Sequence, residues 1–319
     1  MGIFTFYTGA TEPRISIFLR GSVSYLLFGL KDDLVVLSAS KKFIGQVVAA
    51  SILIHLGGIR LDSMHGLLGF EELPEAFALA LSYLTIIVVI NSFNLIDGID
   101  GLAASLGILT MLVFGTYFFI NGHQAYSLLA FALAGSLIAF LIFNHHPAKI
   151  FMGDSGSLMI GLVNAILVIK FINVATSPSA IVPLSSAVAI GLSILIVPLL
   201  DTLRVFAIRI FSGRSPFTPD RNHIHHLLLN RGLSHAAVTL ICVAINIGFI
   251  ALAYVGRSMG SSYLLLLITA ISFTGFGFLY YGKPRRTMVI AKRIDGTTEL
   301  KTASKVVALS PEHAAADQK

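Results

Sequence analysis

Three polar residues, Asn94, Asp97 and Asp100, are spaced three positions apart in the string NSFNLIDGIDGL. If this segment is helical, the spacing places an amide and two carboxylates on one face, where they can bind a divalent cation or transfer protons. Gly98 and Gly101 let a ligand approach the backbone closely, and the start of the next helix favours phosphate. The alternative is a polar turn between two apolar helices, but such a turn does not require an amide and two carboxylates spaced three positions apart. The motif therefore predicts part of an active site.

A second candidate is Asp154, which lies among glycines and serines in the string KIFMGDSGSL. A carboxylate at the start of a helix suits a Mg²⁺ ligand beside a bound phosphate. Asp154 could instead cap that helix, and capping does not conflict with metal binding. Phe151 in the same string could stack on a base, or it could face lipid or the protein core. Both interpretations of Phe151 stay open.

Two adjacent carboxylates, Asp32 and Asp33, follow a lysine at the end of the first predicted helix. Such a pair can bind a divalent cation or supply a general base, although a solvated helix end also explains it. Because carboxylates at a helix C-terminus oppose the helix dipole, the pair is mildly unfavourable for stability. This cost favours a functional interpretation.

A fourth motif combines three histidines with an arginine in a basic loop, namely Arg221, His223, His225 and His226. These residue types suit anion and phosphate binding and acid–base roles. A zinc site and a basic loop attracted to anionic lipid are the alternatives. Upstream, Asp201 could pair with Arg204 three residues later, or it could take part in catalysis. Both interpretations of Asp201 stay open.

The elements that must position these motifs are apolar helices. The chain has 319 residues, of which 55% are hydrophobic and only 12% are charged, and its mean hydropathy is +0.86. A soluble domain usually has about 25% charged residues, so this composition indicates a membrane protein. The predicted fold class is all-α, a polytopic membrane helical bundle of about nine transmembrane helices. We expect them near residues 15–30, 41–58, 76–94, 102–120, 126–144, 156–173, 180–205, 235–256 and 261–281.

The loop charges predict the orientation of these helices. Of the 22 lysines and arginines, 17 fall on one side of the predicted bundle, which makes that side cytoplasmic. The N-terminus is then outside and the C-terminus inside, and all four polar motifs lie at the cytoplasmic ends of helices. Residues 1–281 are predicted to form the membrane domain. Residues 282–319 are predicted to form a cytoplasmic polar tail, with a small hairpin around Asp295 and Gly296.

The ordered motifs resemble those of a known family. The strings GLKDDL, NSFNLIDGIDGLAASLG, KIFMGDSGSLMIG, PLLDTLRV and SPFTPDRNHIHHLLLNRGLSH are similar to those of the polyprenyl-phosphate N-acetylhexosamine-1-phosphate transferases, glycosyltransferase family 4. The similarity runs from about residue 13 to about residue 281 and covers most of the chain. The phenylalanine–asparagine pair and the HIHH string resemble the branch that uses undecaprenyl phosphate and UDP-GlcNAc-type substrates.

This resemblance implies a reaction and its partners. A sugar 1-phosphate, GlcNAc-1-phosphate by preference, passes from a UDP-N-acetylhexosamine to undecaprenyl phosphate, giving UMP and a lipid-linked diphosphosugar that initiates a cell-envelope glycan. The implied cofactor is Mg²⁺, with Mn²⁺ as an alternative. The implied location is the bacterial inner (cytoplasmic) membrane, multi-pass in the lipid bilayer, with the active site on the cytoplasmic face. A homodimer is left open, and no nucleic acid partner is implied.

The resemblance also implies roles for single residues. Asp154 is the main Mg²⁺ ligand, with Asn94 beside it, and Phe151 stacks on uracil. The implied catalytic residues are Asp32, Asp33, Asp97, Asp100 and His225. Contacts to the diphosphate or the sugar are implied for Arg221, His223, His225 and His226, and Asn94 is implied to bind substrate as well. Direct attack by the lipid phosphate is expected, and a covalent aspartyl-phosphate route stays open. Asp201 and Asp220 are expected to be structural partners.

The N-terminus departs from the family pattern. The family has about two further helices before the acidic pair, joined by a basic loop that helps to hold the nucleotide. We therefore expect either a start upstream of Met1 or a shortened form. This departure keeps open a non-catalytic family member that binds polyprenyl phosphate. A membrane transporter is the third alternative, which the position of the acids at helix ends disfavours, because transporters place such groups near the bilayer midplane.

Overall fold

The structure is a computed structural model, and it describes Gly29, Asp33, Gly213 and the ranges 38–211, 224–281, 289–294 and 297–302. The chain divides into two units, Met1–Phe276 and Gly277–Lys319. The described residues form ten α-helices: α1 (Ala39–Ser51), α2 (Glu75–Ile96), α3 (Leu102–Ile120), α4 (Gln124–Asn144), α5 (Gly153–Ala175), α6 (Ala187–Ile194), α7 (Ile196–Phe211), α8 (Ile224–Leu229), α9 (His235–Val255) and α10 (Ser261–Tyr281).

Six of these helices, α2, α3, α4, α5, α9 and α10, are long and apolar enough to cross a membrane. The bent pair of α6 and α7 would add a seventh span. The chain is therefore a polytopic helical membrane protein. The span predicted at 41–58 is helical as α1, which continues into a π-helical turn over Ile52–Leu56. The span predicted at 15–30 lies outside the described residues except for Gly29, so the count of nine and the orientation stay predictions.

The central helix of the bundle is α5, the most deeply buried of the six. It packs against α2 at Gly161, where a Cβ atom would lie only 2.7 Å from the Ile90 Cα atom. Glycine is therefore required for this close approach of the two backbones. The contact sets the spacing between the helices that carry Asn94 and Asp154, and these two residues lie at the same end of the pair.

A break divides the segment predicted as one span at 180–205 into α6 and α7, which are bent by 83°. Pro198 has no N–H group to donate to the carbonyl of Ile194 four residues earlier, so the helix cannot continue straight there. The break leaves the carbonyl of Ile194 and the N–H of Val197 without a partner in the helix, and Asn246 on α9 bonds to both. Its Nδ2 donates to Ile194 O at 2.9 Å, and its Oδ1 accepts from Val197 N at 3.2 Å.

Two antiparallel hairpins depart from the all-α prediction. In the first unit, β1 (Ser63–Leu67) pairs with β2 (Phe70–Glu72). The sequence did not reveal it, because residues 63–72 lack the alternation of apolar and polar residues that marks a strand. In the second unit, β3 (Val289–Ile294) pairs with β4 (Thr297–Thr302), with Ile294 opposite Thr297. The hairpin predicted around Asp295 and Gly296 is confirmed by these strands, although the two turn residues lie outside the described part.

Candidate active site

A cleft of about 430 Å³ opens where the end of α2, the end of α4 and the start of α5 meet. Its lining includes six of the residues predicted from the sequence, namely Asp33, Asn94, Asp97, Asp100, Phe151 and Asp154. They come from three separate segments of the chain. The structure thus brings together three of the four polar motifs, and the described part of the cleft is rich in carboxylates.

Asp154, the second residue of α5, is held from two sides. Lys42 Nζ lies 2.7 Å from its Oδ2 atom, and Asn94 Nδ2 donates to its Oδ1 atom at 2.6 Å. Asn94 also donates to Ser157 Oγ at 3.0 Å, so its amide joins α2 to the first turn of α5. These contacts give Asn94 a positioning role, and its predicted role as a metal ligand stays a prediction. The sequence did not single out Lys42, which entered only the charge count.

Asp33 caps the N-terminus of α5. One carboxylate oxygen accepts from Asp154 N at 2.7 Å, and the other accepts from Ser155 N at 3.1 Å and from Ser155 Oγ. Gly153 makes room for this cap, since its φ is +66° and a Cβ atom there would lie 3.0 Å from Asp33 Oδ1. Gly29 comes equally close, because its Cβ would lie 2.8 Å from Ser155 Cα. The cap anchors Asp33 to the helix that carries Asp154.

Asp97 follows the last residue of α2 and lies close to Asp154 in the cleft. Burial raises the pKa of Asp97 to about 7, and the Asp154 carboxylate adds to this effect. The expected helical register of Asn94, Asp97 and Asp100 is wrong, because α2 ends at Ile96 and residues 97–101 form a turn. All three residues nevertheless line the cleft. Two neighbouring carboxylates in a partly buried place fit a divalent cation, which prefers oxygen ligands.

Asp100 is bound by groups that the sequence did not indicate. Its Oδ2 atom lies 2.7 Å from His146 Nδ1, 3.3 Å from Ala148 N and 3.4 Å from His235 Nδ1. The hydrogen bond from His146 is the main cause that lowers the pKa of Asp100, and the Ala148 N–H and the charge of His235 contribute further. Asn144 fixes the same turn, since its Oδ1 accepts from Gly101 N at 2.9 Å and its Nδ2 donates to Ile150 O at 2.9 Å.

The histidine motif is described only in part. Two of its residues, Arg221 and His223, lie outside the described part of the chain. The backbones of His225 and His226 belong to α8, but their side chains are not described. Asp32 of the acidic pair also lies outside the described residues. Their roles stay predictions.

Asp201 connects α7 to this motif. Its Oδ1 accepts from Ile224 N at 2.8 Å and from Arg204 Nη2 at 3.4 Å, which confirms the expected pair three residues apart. Asp201 is nearly fully buried.

Comparison with known proteins identifies relatives of the chain. Residues 15–172 match the family described as Glycosyl transferase family 4. The chain is 36% identical over 247 residues to a decaprenyl-phosphate N-acetylglucosaminephosphotransferase of Mycobacterium tuberculosis (strain ATCC 25618 / H37Rv), a match that covers 70% of this chain and 58% of the relative. It is 34% identical over 253 residues to a probable undecaprenyl-phosphate N-acetylglucosaminyl 1-phosphate transferase of Bacillus subtilis (strain 168), covering 78% of this chain and 67% of the relative.

A third relative is more distant. An undecaprenyl-phosphate alpha-N-acetylglucosaminyl 1-phosphate transferase of Escherichia coli (strain K12) is 28% identical over 249 residues, which cover 76% of this chain and 65% of the relative. The chain therefore matches about three fifths to two thirds of the length of these relatives.

Proposed function

The chain belongs to glycosyl transferase family 4, and we propose that it transfers N-acetylglucosamine 1-phosphate from UDP-N-acetylglucosamine to undecaprenyl phosphate. The products are UMP and a lipid-linked diphosphosugar that starts a cell-envelope glycan. The names of the relatives support this reaction class, since each refers to a polyprenyl phosphate and to N-acetylglucosamine. The observation that carries the proposal is the cleft in which Asp97 and Asp154 adjoin the N-terminus of α5.

The reaction moves one phosphorus atom from a nucleotide to a lipid. An oxygen of the lipid phosphate attacks the phosphorus that carries the sugar and forms a new phosphorus–oxygen bond. The bond from that phosphorus to the oxygen bridging the nucleotide diphosphate breaks, and UMP leaves with the bridging oxygen. A phosphate monoester has a second pKa of about 6, so the lipid phosphate is largely ionised at neutral pH and needs little help from a base. Positioning and charge neutralisation are then the protein's main tasks.

The cleft fits a divalent cation, for which we propose Mg²⁺, with Mn²⁺ as an alternative. The carboxylate oxygens of Asp97 and Asp154 are the hard donors that such an ion takes. When bound, the ion supplies charge neutralisation for the diphosphate. Asn94 and Lys42 orient the Asp154 carboxylate through contacts of 2.6 and 2.7 Å. Asp33 holds the first residues of α5 in place through its three hydrogen bonds.

The remaining contacts to the nucleotide sugar follow from the shape of the cleft. Phe151 is 79% exposed and lines the cleft, so its ring is accessible for stacking on the uracil base. The start of α5 directs free N–H groups at an anion, except those that Asp33 already takes up. Arg221 and the histidines of the fourth motif are proposed to contact the diphosphate or the sugar, with His225 in an acid–base role.

The proposed location is the inner membrane of a bacterium, with the cleft on the cytoplasmic face, where nucleotide sugars are made. The distribution of 17 of the 22 lysines and arginines supports this orientation. The lipid bilayer is then both the solvent of the helices and the source of undecaprenyl phosphate.

The proposal is tested with the purified full chain in detergent, undecaprenyl phosphate and UDP-N-acetylglucosamine. We expect UMP release that depends on both the lipid and Mg²⁺. Replacing Asp154 by Asn should lower kcat by about 10²-fold or more, because a preorganised charge beside the reacting phosphate is lost. The matched control is Asp62→Asn, which removes an exposed carboxylate paired with Arg60 at 2.6 Å before β1 and should leave kcat unchanged.

Two outcomes would count against the proposal. The first is the absence of a lipid product with every UDP-N-acetylhexosamine offered. The second is equal turnover of the Asp154→Asn variant and the wild type. Lipid binding without turnover would support the non-catalytic alternative instead.

A further inference from the structure

We propose that Asp100, His146 and His235 form a second cation site, suited to a borderline-soft divalent ion such as Zn²⁺, at the edge of the cleft. His146 Nδ1 and His235 Nδ1 lie 2.7 and 3.4 Å from the same oxygen of Asp100. One ligand atom from each of the three residues lies within 4.8 Å of the other two. The two imidazole rings face each other, with centroids 4.8 Å apart and an angle of 38° between their planes.

The donor set distinguishes this site from the carboxylate pair of Asp97 and Asp154. Mg²⁺ prefers oxygen ligands, whereas two imidazoles with one carboxylate are a set that Zn²⁺ takes in proteins, with a fourth position left to water. A tetrahedral ion with bonds of about 2.1 Å holds its ligand atoms about 3.4 Å apart. The 3.4 Å between His235 Nδ1 and Asp100 Oδ2 matches this value, whereas the 2.7 Å between His146 Nδ1 and Asp100 Oδ2 is a hydrogen-bond distance that an ion would lengthen. Both histidine side chains are partly exposed, so their rings have room to adjust.

A second observation concerns the Nδ1 atom of His235. This atom is buried, and among the described residues it makes no hydrogen bond, although it lies 3.4 Å from Asp100 Oδ2. A buried nitrogen without a hydrogen bond costs free energy, because it has given up its contact with water. A cation bound between the three side chains would satisfy it.

The backbone around the site holds the three ligands in place from three segments. Ala148 N donates to Asp100 Oδ2 at 3.3 Å, which joins the loop after α4 to the turn at residues 97–101. Thr239, one helical turn after His235, donates through Oγ1 to the carbonyl of Asp100 at 3.1 Å. The start of α9 therefore contacts Asp100 through two of its residues. Such supporting contacts orient the ligands of a metal before it binds.

An ion at this site would connect the turn after α2, the loop after α4 and the start of α9. It would also engage Asp100, whose carboxylate lines the cleft. We therefore expect Zn²⁺ to raise the melting temperature of the chain, since a ligand that binds only the folded state stabilises it.

The experiment is a titration of the purified, chelator-treated full chain with Co²⁺ and then Zn²⁺, in excess Mg²⁺. Co²⁺ reports on the site through its visible absorption, and Zn²⁺ is expected to displace it. Replacing either His146 or His235 by Gln should weaken Co²⁺ binding by at least about tenfold and abolish the rise in melting temperature. The matched control is His145→Gln, which removes the exposed neighbouring ring, whose Nδ1 atom lies 3.0 Å from the carbonyl of His146.

The titration also distinguishes this site from the two other possible metal sites, the carboxylates of the cleft and the histidine motif. Binding should persist in the Asp154→Asn variant, so it can be scored whether or not the chain turns over the nucleotide sugar. It should also persist when His223, His225 and His226 are all replaced by Gln. Unchanged Co²⁺ affinity in the His146 and His235 variants, or loss of the tight site in the triple variant, would overturn the proposal.

Discussion

At the scale of single residues, the Asp154 carboxylate is shared between an ammonium group and an amide. Lys42 Nζ and Asn94 Nδ2 each approach a different oxygen, at 2.7 and 2.6 Å. Because the half-buried Asp97 carboxylate lies nearby, the cleft concentrates negative charge that the Lys42 side chain partly offsets. Lys42 thus tunes the charge that a bound cation would meet, in addition to orienting Asp154.

Replacing Lys42 by Gln tests this role. Without the ammonium group the cleft is more negative, so we expect half-saturation at a lower Mg²⁺ concentration. We also expect kcat to fall by about tenfold, because Asp154 loses one of the groups that orient it. The measurement is UMP release as a function of Mg²⁺. Lys41→Gln is the control, since it removes a neighbouring exposed charge, and identical Mg²⁺ dependence of the two variants would contradict the role of Lys42.

The sequence predicted the site residues that occur together in short motifs, and it missed those whose partners lie far away along the chain. Asn94, Asp97 and Asp154 could be found because their spacing or their glycine neighbours are unusual in an apolar chain. Lys42 and His235 each lie in the first turn of a helix, next to other polar residues, where a charged or polar group needs no special explanation. Their partners lie 112 and 135 positions away along the chain, so only the fold reveals them.

At the scale of elements, Asp201 joins α7 to the N-terminus of α8. Its carboxylate accepts the N–H of Ile224, the first residue of the helix that carries His225 and His226. A carboxylate in this position accepts a hydrogen bond from one of the free N–H groups and interacts favourably with the positive end of the helix dipole. Asp201 is thus a positioning residue for the histidine motif.

Substitution of Asp201 separates this positioning role from a general loss of stability. In Asp201→Ala the N–H of Ile224 loses its acceptor, and we expect kcat/KM for the UDP-sugar to fall by about tenfold or more. Asp201→Asn keeps an oxygen that can accept this bond, so it should recover much of the loss. Steady-state kinetics measure both. Equal damage in the two variants would show that the charge, rather than the cap, is what matters.

The bend between α6 and α7 depends on Asn246. In Asn246→Leu the carbonyl of Ile194 and the N–H of Val197 stay buried without their partner, so we expect a destabilisation of about 2 kcal/mol or more. Thermal unfolding in detergent measures it. Asn164→Leu is the matched control, because Asn164 is equally buried but, within the described part of the chain, donates to Ile160 O of its own helix at 3.0 Å. Similar melting temperatures for the two variants would contradict the bridging role.

The sequence predicted most helices well because a membrane span has a strong and simple signal, a long apolar run. The predicted segments at 76–94, 102–120, 126–144 and 235–256 all correspond to helices within a few residues. The bend was not predicted, although Pro198 was visible, because the break becomes stable only through a side chain 48 residues further along. A distant partner of this kind leaves no local pattern.

At the scale of the whole molecule, the proposed orientation assigns opposite sides of the membrane to the two ends of α5. Lys149 precedes α5 on the cleft side, and Ser179 follows it at the other end, and both are exposed. Single cysteines at these positions should react differently with a membrane-impermeant maleimide added to intact cells. We expect Ser179→Cys to be labelled at once and Lys149→Cys only after permeabilisation.

The native cysteine does not interfere with this labelling, because Cys242 is buried. Labelling of Lys149→Cys in intact cells, with protection of Ser179→Cys, would reverse the orientation and place the cleft outside.

Transfer of a sugar 1-phosphate, rather than of the sugar alone, is detected by following the phosphorus atom. UDP-N-acetylglucosamine labelled with ³²P in the phosphate that carries the sugar is incubated with the full chain, Mg²⁺ and undecaprenyl phosphate, and lipid and water phases are then separated. We expect the label to enter the lipid phase together with the sugar, and the released UMP to be unlabelled. Label that leaves as UDP while the sugar alone reaches the lipid would contradict this expectation.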